Sequence, residues 1–224
     1  MMPDSDKLTF LQQAGFAAML PGDLPLAAII TVADALLAAP VQVVEVALSA
    51  SLAQTAAVVR DLCQRGRVHL QVGVSGVETA DQVAMLAAAG AEFVASPRFS
   101  PALLAVCEEW KRPYLPTIIT PFAAQAAQAA GVSWVRVPVG GPAGPAYVQT
   151  LCTTLPDLQV VAAGDFAPAE VAAYREVGVT AVFLGSTLYT GPQQPMADLI
   201  TRARQLQGAW QHGVWDGNGR GHTS

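Results

Sequence analysis

Charged side chains are scarce in this sequence. They make up 13% of its 224 residues, and acidic residues outnumber basic ones, which gives a formal net charge of -5. Proteins that bind nucleic acids use a basic surface to displace counterions from phosphates. The sequence offers no cluster of lysine and arginine for that purpose, so we expect no nucleic-acid partner.

Long apolar runs and familiar ligand motifs are missing as well. Each apolar stretch is interrupted by Asp, Gln, Gly or Pro before it reaches the roughly 18 residues of a membrane span. No basic segment followed by an apolar one opens the chain, as a signal peptide would require. The sequence has no GxxxxGK[ST] loop, no GxGxxG turn and no zinc-type spacing of Cys and His. We therefore predict a cytoplasmic protein with no membrane segment, no metal and no cofactor.

Cysteine is also rare. The three cysteines, Cys63, Cys107 and Cys152, are isolated and odd in number. This pattern is typical of small buried apolar residues in a reducing compartment and does not indicate a disulfide framework.

Hydrophobic residues, mainly Ala, Val and Leu, account for 52% of the chain. They form short β-like runs that alternate with longer Ala-rich helical runs. The predicted strands are Phe16–Leu20, Val41–Leu48, Val68–Gly73, Phe93–Ala95, Tyr114–Pro116, Trp134–Val137, Gln159–Ala162 and Ala181–Leu184. The predicted helices are Pro25–Ala38, Leu52–Arg65, Thr79–Ala89, Pro101–Trp110, Phe122–Ala130, Ala146–Thr154, Pro168–Val177 and Met196–Gln207.

Proline and glycine mark the boundaries of several of these helices. Proline stands at predicted first turns in Ser100-Pro101, Thr120-Pro121 and Ala167-Pro168. Glycine ends predicted helices at Gly90, Gly131 and Gly178. Eight β-then-α units of about 25 residues each predict an α/β fold, a single (β/α)8 TIM barrel. A doubly wound open sheet is the alternative.

The barrel is predicted to occupy residues 1–207. Residues 208–224 contain five glycines and are predicted to form a flexible C-terminal tail. Trp210 and Trp215 within it are expected to dock on the body of the protein or on a neighbouring subunit.

In such a barrel the active site lies at the carboxyl ends of the strands. Glu45 and Arg136 are the strongest candidates for functional residues there. A carboxylate within an apolar strand needs a partner or a proton. Glu45 is therefore either a general acid/base or one half of a structural ion pair with Arg136. Arg136 either points into the barrel and holds a carboxylate or phosphate, or points outward to solvent.

The glycine-rich turns after the last two strands are candidates for an anion site. Backbone N–H groups at Gly164 and at Gly185-Ser186-Thr187 could cradle an anion. Asp165 beside Gly164 suits such a site poorly, and capping of the following helix is the favoured interpretation of this residue. His69 is interpreted as a core histidine within a strand. Further polar residues at predicted strand ends are Gln71, Ser75, Ser96, Arg98, Thr117 and Thr120.

Several segments together resemble the 2-keto-3-deoxy-6-phosphogluconate / 4-hydroxy-2-oxoglutarate aldolase family, from about Gly15 to Tyr189. VQVVEVALSA is similar to the family's EVTLRT strand, and QVGVSGVETADQ to its VGAGTVLN segment. AAAGAEFVASPRF is similar to AGAxFxVSPG, and PTIITPFAA to PGVxTPxE. WVRVPVGG, VVAAGDFAP and FLGSTLY fall where the family has FKFFPAE, PTGGI and GGSW.

The resemblance implies an aldolase-type lyase of carbohydrate metabolism, assembled as a homotrimer. In that family a lysine on the sixth strand forms a Schiff base with the substrate ketone, and a glutamate on the second strand moves protons. Glu45 matches the glutamate. Val135 falls at the lysine position, counting back three residues from Pro138, and the chain's lysines are Lys7 and Lys111.

Other family positions have also changed. The arginine of EVTLRT falls at Ser49, the threonine of VGAGT at Gly76, and the second glycine of the phosphate loop at Asp165. We therefore predict a barrel without Schiff-base chemistry that binds a small anion, either a 2-keto acid or a sugar phosphate. The candidate ligand-binding residues are Arg98, Thr120, Arg136, Gly164, Gly185, Ser186 and Thr187, with Glu45 as the candidate catalytic residue.

Two alternatives stay open at this point. One is a lyase that acts on 2-keto-4-hydroxy acids without a lysine, with Glu45 as acid/base and an arginine polarising the carbonyl. The other is an isomerase or epimerase on the same scaffold, including a metal-dependent variant in which Glu45, Glu78 and Asp165 gather around an ion.

Overall fold

The computed structural model describes residues 8–39, 41–139 and 144–212, and its strands form one parallel barrel. The strands in these residues are β1 (Phe16–Pro21), β2 (Val43–Ala47), β3 (Gln71–Ser75), β4 (Val94–Ser96), β5 (Tyr114–Pro116), β6 (Trp134–Pro138), β7 (Gln159–Gly164) and β8 (Ala181–Leu184).

Sequential strands are neighbours around the ring. The order is β5-β4-β3-β2-β1-β8-β7-β6, with every pairing parallel. A parallel bridge between Thr117 and Arg136 joins β5 to β6, and the Ile118 N–H donates to the Arg136 carbonyl at 2.8 Å. These contacts close the barrel, so the predicted (β/α)8 fold is confirmed and the open sheet is not formed.

Helices alternate with the strands and surround the barrel. In the described residues they are α1 (Thr9–Ala14), α2 (Leu26–Ala38), α3 (Leu52–Gly66), α4 (Ala80–Ala88), α5 (Pro101–Glu109), α6 (Pro121–Ala129), α7 (Pro145–Thr154), α8 (Pro168–Glu176) and α9 (Met196–His212). No helix among them is both long and apolar enough to cross a membrane.

The predicted boundary signals act as expected. Ser100 and Thr120 are N-caps whose hydroxyl oxygens accept the N–H groups of Leu103 and Ala123. The glycines that end three helices adopt positive φ values, 111° at Gly90, 91° at Gly131 and 96° at Gly178. A glycine reaches this region at no steric cost, which is why it terminates these helices.

The apolar side chains of the strands divide between two separate clusters, one on each face of the sheet. The outer cluster lies between barrel and helices. The inner cluster fills the barrel and includes Phe93, Trp134 and Phe183. Gly73 faces the same interior, where an added Cβ would overlap the Phe93 ring. Helix α1, which the sequence did not predict, contributes Leu11 to this inner cluster.

The prediction for His69 was wrong. Arg67–His69 form a turn of 3-10 helix after α3, and His69 and Val68 are exposed, Val68 to 83%. Strand β3 begins only at Gln71, where pairing with Val43 starts. The apolar residues of the segment VHL, residues 68–70, resemble those of a strand, yet only Leu70 among them is buried.

Helix α9 runs five residues past its predicted end, so residues 208–212 are helical. Ala209 is fully buried, and Trp210 packs against the outer cluster. Arg175 donates to the Trp210 carbonyl at 2.6 Å and to the Gln211 carbonyl at 2.8 Å, which satisfies carbonyls at a helix end. Tertiary packing thus outweighs the helix-breaking tendency of Gly208, while residues 213–224, with Trp215, lie outside the described residues.

Burial of the cysteines follows the prediction at one position. Cys107 is buried, whereas Cys63 and Cys152 are half-buried.

Candidate active site

Glu45 and Arg136 form an ion pair across the inside of the barrel. Glu45 lies on β2 and Arg136 on β6, strands that stand opposite each other in the eight-membered ring. Arg136 Nη1 lies 2.6 Å from Glu45 Oε1, and Arg136 Nη2 lies 3.9 Å from the Met19 sulfur. The Glu45 side chain is fully buried, while 14% of the Arg136 side chain is exposed. Of the alternatives that the sequence left open, the ion pair of Glu45 with Arg136 is formed and Arg136 points inward. A catalytic role for Glu45 and a ligand-binding role for Arg136 stay predictions.

The pair leaves one carboxylate oxygen unused. Glu45 Oε2 is buried and has no hydrogen-bond partner among the described residues. A buried acceptor without a donor costs free energy, on the order of 1–3 kcal/mol. Such groups are uncommon in folded proteins, and a water, an ion or a ligand group can supply the partner.

Strand alternation explains why these two side chains meet. On β2 the neighbours Val44 and Val46 belong to the outer cluster, so Glu45 turns inward. On β6 the outer cluster takes Val135 and Val137, which leaves Arg136 facing the interior.

Val135 and Arg136 differ in the direction that their side chains take from β6. Val135, the residue that motif counting aligns with the lysine, is fully buried between barrel and helices. The basic side chain that β6 presents to the interior is Arg136. Lys111 is exposed and comes between α5 and β5, before the strand rather than after it. Lys7 lies outside the described residues.

The loops after β7 and β8 lie against each other, and the anion site predicted for their glycine-rich turns stays a prediction. The Gly185 N–H donates to the Gly164 carbonyl at 3.0 Å. Asp165 Oδ1 accepts the Thr187 N–H at 3.2 Å, and Ser186 is exposed. The expected helix-capping role of Asp165 was wrong: the N–H of Ala167 at the start of α8 donates to Glu170 Oε2, at 2.7 Å.

Arg98 and Thr120 lie apart from the central pair. Arg98 is 76% exposed, with Nη1 3.8 Å from Glu78 Oε2, and Thr120 caps α6. In the part of the chain that the structure describes, no hydrogen bond or ion pair joins either residue to Glu45 or Arg136. Their predicted contacts with a ligand stay predictions.

Tyr114 organises the turn after β4, a role that nothing in the sequence indicated. Its hydroxyl lies 2.7 Å from Ser96 Oγ and accepts the Ser100 N–H at 3.1 Å. Burial raises the pKa of the Tyr114 hydroxyl, and the hydrogen bond with Ser96 opposes that rise. The Ser96 hydroxyl is therefore engaged within the turn.

The metal-dependent arrangement is not formed. Over residues 8–39, 41–139 and 144–212, no three His, Cys, Asp or Glu side chains gather closely enough to hold a metal ion. Glu45, Glu78 and Asp165 thus do not form a common site.

Aldolases are among the known proteins to which this chain is similar. A probable 2-dehydro-3-deoxy-6-phosphogalactonate aldolase from Rhizobium meliloti is 32% identical over 133 residues, 59% of this chain and 62% of that protein. The chain therefore aligns with less than two thirds of that relative's length.

Solved structures show the same fold at lower identity. A native KDPGal structure matches with a TM-score of 0.78 and 22% identity, covering 87% of this chain and 93% of that one. A 2-keto-3-deoxy-6-phospho-gluconate aldolase from Zymomonas mobilis matches with a TM-score of 0.78 and 18% identity, covering 89% and 95%. Since the model of the KDPG and KHG aldolase family matches residues 25–202, most of the chain, this protein belongs to that family.

Proposed function

We propose that this aldolase-family barrel binds a small anionic ligand, a 2-keto acid or a sugar phosphate, without Schiff-base chemistry. The observation that carries the proposal is the ion pair of Arg136 with Glu45, because it places an arginine where an imine-forming lysine on β6 would have to point.

An arginine can bind an anion but cannot form an imine. A guanidinium stays protonated in proteins and has no nucleophilic lone pair to attack a ketone. Its planar set of N–H donors suits a carboxylate or a phosphate. Arg136 therefore holds the ligand's anionic group, using the part of its side chain that remains exposed.

Glu45 supports the same ligand from the opposite strand. Its Oε1 is engaged by Arg136, which leaves the buried Oε2 as an acceptor without a donor. A hydroxyl group on the ligand would supply that donor and remove the cost of the unpaired oxygen. A hydroxylated 2-keto acid offers both groups, a carboxylate for Arg136 and a hydroxyl for Glu45.

Other changes around the barrel agree with lost aldolase chemistry. The loop after β2 carries Ser49 at the position aligned with the family arginine, and its hydroxyl lies 2.9 Å from the Thr55 hydroxyl. Thr55 is fully buried, and both hydroxyls stay within this loop and α3. This loop therefore brings no second cation for a substrate carboxylate.

A lysine-independent lyase is the second candidate, and the exposure of Arg136 favours it. A guanidinium can stabilise a developing enolate electrostatically, and Glu45 could move the proton. An isomerase or epimerase that forms the same enolate would use the same two residues. The relatives' names favour a lyase among these alternatives.

Two measurements test the proposal. Calorimetry with pyruvate as the probe should show saturable binding to the native chain and loss of binding in Arg136→Gln. The matched control is Arg65→Gln, which removes an exposed arginine paired with Asp34 on the outer surface and should bind as the native chain does. Equal binding by the native chain and Arg136→Gln would contradict the proposed role of Arg136.

Activity separates the candidates. Pyruvate release from 2-keto-3-deoxy-6-phosphogluconate and from 4-hydroxy-2-oxoglutarate should stay at background. Release that disappears in Glu45→Gln would instead establish the lysine-independent lyase. The homotrimer implied by the family is a separate proposal, tested by sedimentation of the purified chain.

A further inference from the structure

The loops after β7 and β8 carry a negative charge where a barrel commonly binds phosphate. Backbone N–H groups at this place are the usual donors to an anion. Here the Thr187 N–H donates to Asp165 Oδ1, at 3.2 Å. A Cβ built on Gly185 would lie 2.8 Å from the same oxygen, so the carboxylate rests directly over Gly185.

Arg202, which contacts the same turn, is paired with a different carboxylate. Arg202 Nη1 lies 3.3 Å from the Thr187 carbonyl oxygen, but Arg202 Nε is held by Asp198 Oδ2 at 2.8 Å. Hydrogen bonds from Gln194 and then Arg202 lower the pKa of the Asp198 carboxyl, so this carboxylate is charged at neutral pH. Arg202 is therefore paired with Asp198, and among the described residues no ion pair joins Asp165 to a cation.

We propose that Asp165 determines ligand specificity by excluding a phosphate group from these loops and accepting hydroxyl groups instead. An arriving phosphate would have to displace the carboxylate from the Thr187 N–H and would meet a like charge at hydrogen-bond distance. A hydroxyl meets neither obstacle, because it donates to the exposed carboxylate. The class of ligand rests on the proposed function. Within that class, the Asp165 carboxylate selects a hydroxylated 2-keto acid that carries no phosphate.

The exclusion is testable with inorganic phosphate alone. Amide chemical shifts of Gly185 and Thr187 are followed during a phosphate titration of the native chain, Asp165→Asn and Asp165→Gly. Both variants should bind phosphate about tenfold or more tightly than the native chain, since each removes the charge. Asp165→Asn keeps a side chain of similar size with an oxygen acceptor. Tighter phosphate binding by this variant would therefore show that the charge of Asp165, and not its size, excludes phosphate.

Two results would overturn the proposal: phosphate binding by the native chain as tight as in the variants, or no gain in either variant. Pyruvate binding, measured on the same three proteins, should be equal in all of them because Arg136 is unchanged. If pyruvate binds none of them while phosphate binding rises in the variants, the proposed function fails and the role of Asp165 in excluding phosphate stands.

Discussion

Arg136 and Glu45 are 91 residues apart in sequence and meet inside the barrel at 2.6 Å. Their strands lie on opposite sides of the ring, so the pair spans the barrel interior. One partner is fully buried and the other is 14% exposed. This geometry gives the pair two measurable consequences, one for stability and one for chemistry.

Breaking the pair from one side should destabilise the fold strongly. Arg136→Met leaves the Glu45 charge buried without a partner, which should lower the free energy of unfolding by about 3–5 kcal/mol. The double variant Glu45→Leu/Arg136→Met removes both charges and should recover most of that loss. Urea unfolding of both variants and the native chain measures the difference.

The control for this cycle is Arg65→Gln, whose ion pair with Asp34 is exposed to solvent. An exposed pair of this kind contributes about 0–1 kcal/mol. If Arg136→Met unfolds no more easily than Arg65→Gln, the buried pair does not contribute as its geometry implies.

A lysine introduced on β6 should form an imine only at the inward position. Arg136→Lys places an amine opposite Glu45, where a ketone entering the barrel can reach it. Val135→Lys places the amine in the apolar layer between β6 and the helices. After incubation with pyruvate and borohydride, mass spectrometry with peptide mapping should find a reduced adduct at position 136 in the first variant only.

The native chain should give no adduct on β6 in the same experiment, because neither valine nor arginine forms an imine. An adduct at position 135 in Val135→Lys, with none in Arg136→Lys, would contradict the assigned orientation of the strand. Circular dichroism of both variants checks that each is folded before the comparison.

Cys63 should make stability fall with pH in the alkaline range. Burial, and to a lesser degree the charge of Glu92, raise the pKa of the Cys63 thiol from 9.0 to about 11. Between those two values the folded chain keeps a proton that the unfolded chain has released. Folded protein then binds more protons, so the free energy of unfolding decreases as pH rises through this window.

Urea unfolding of the native chain and Cys63→Ala, from pH 8 to pH 11, isolates this contribution. The difference in unfolding free energy between the two proteins should change in favour of the variant as pH rises. A difference that stays constant across the window would show that the thiol does not titrate in this way.

Local sequence signals were strong enough to predict much of the fold. β5 and β8 have the predicted bounds, and Pro101 and Pro168 begin helices as expected. These features depend on neighbours along the chain, such as a proline ring that fixes φ. His69 was misplaced because apolar letters in a row do not reveal whether a partner strand is available for pairing.

The sequence by itself determined the alternation of strands and helices, the absence of an imine-forming lysine on β6, and Glu45 and Arg136 as the charges within strands. Composition and local periodicity are enough for these conclusions, except that the role of a lysine on this strand is what the family resemblance implies. Only the tertiary structure decided that Arg136 faces the interior and Val135 does not, that Asp165 binds Thr187 and does not cap α8, and that α9 continues to His212. Each of those outcomes depends on contacts between residues far apart in sequence, which form only when the ring of strands closes.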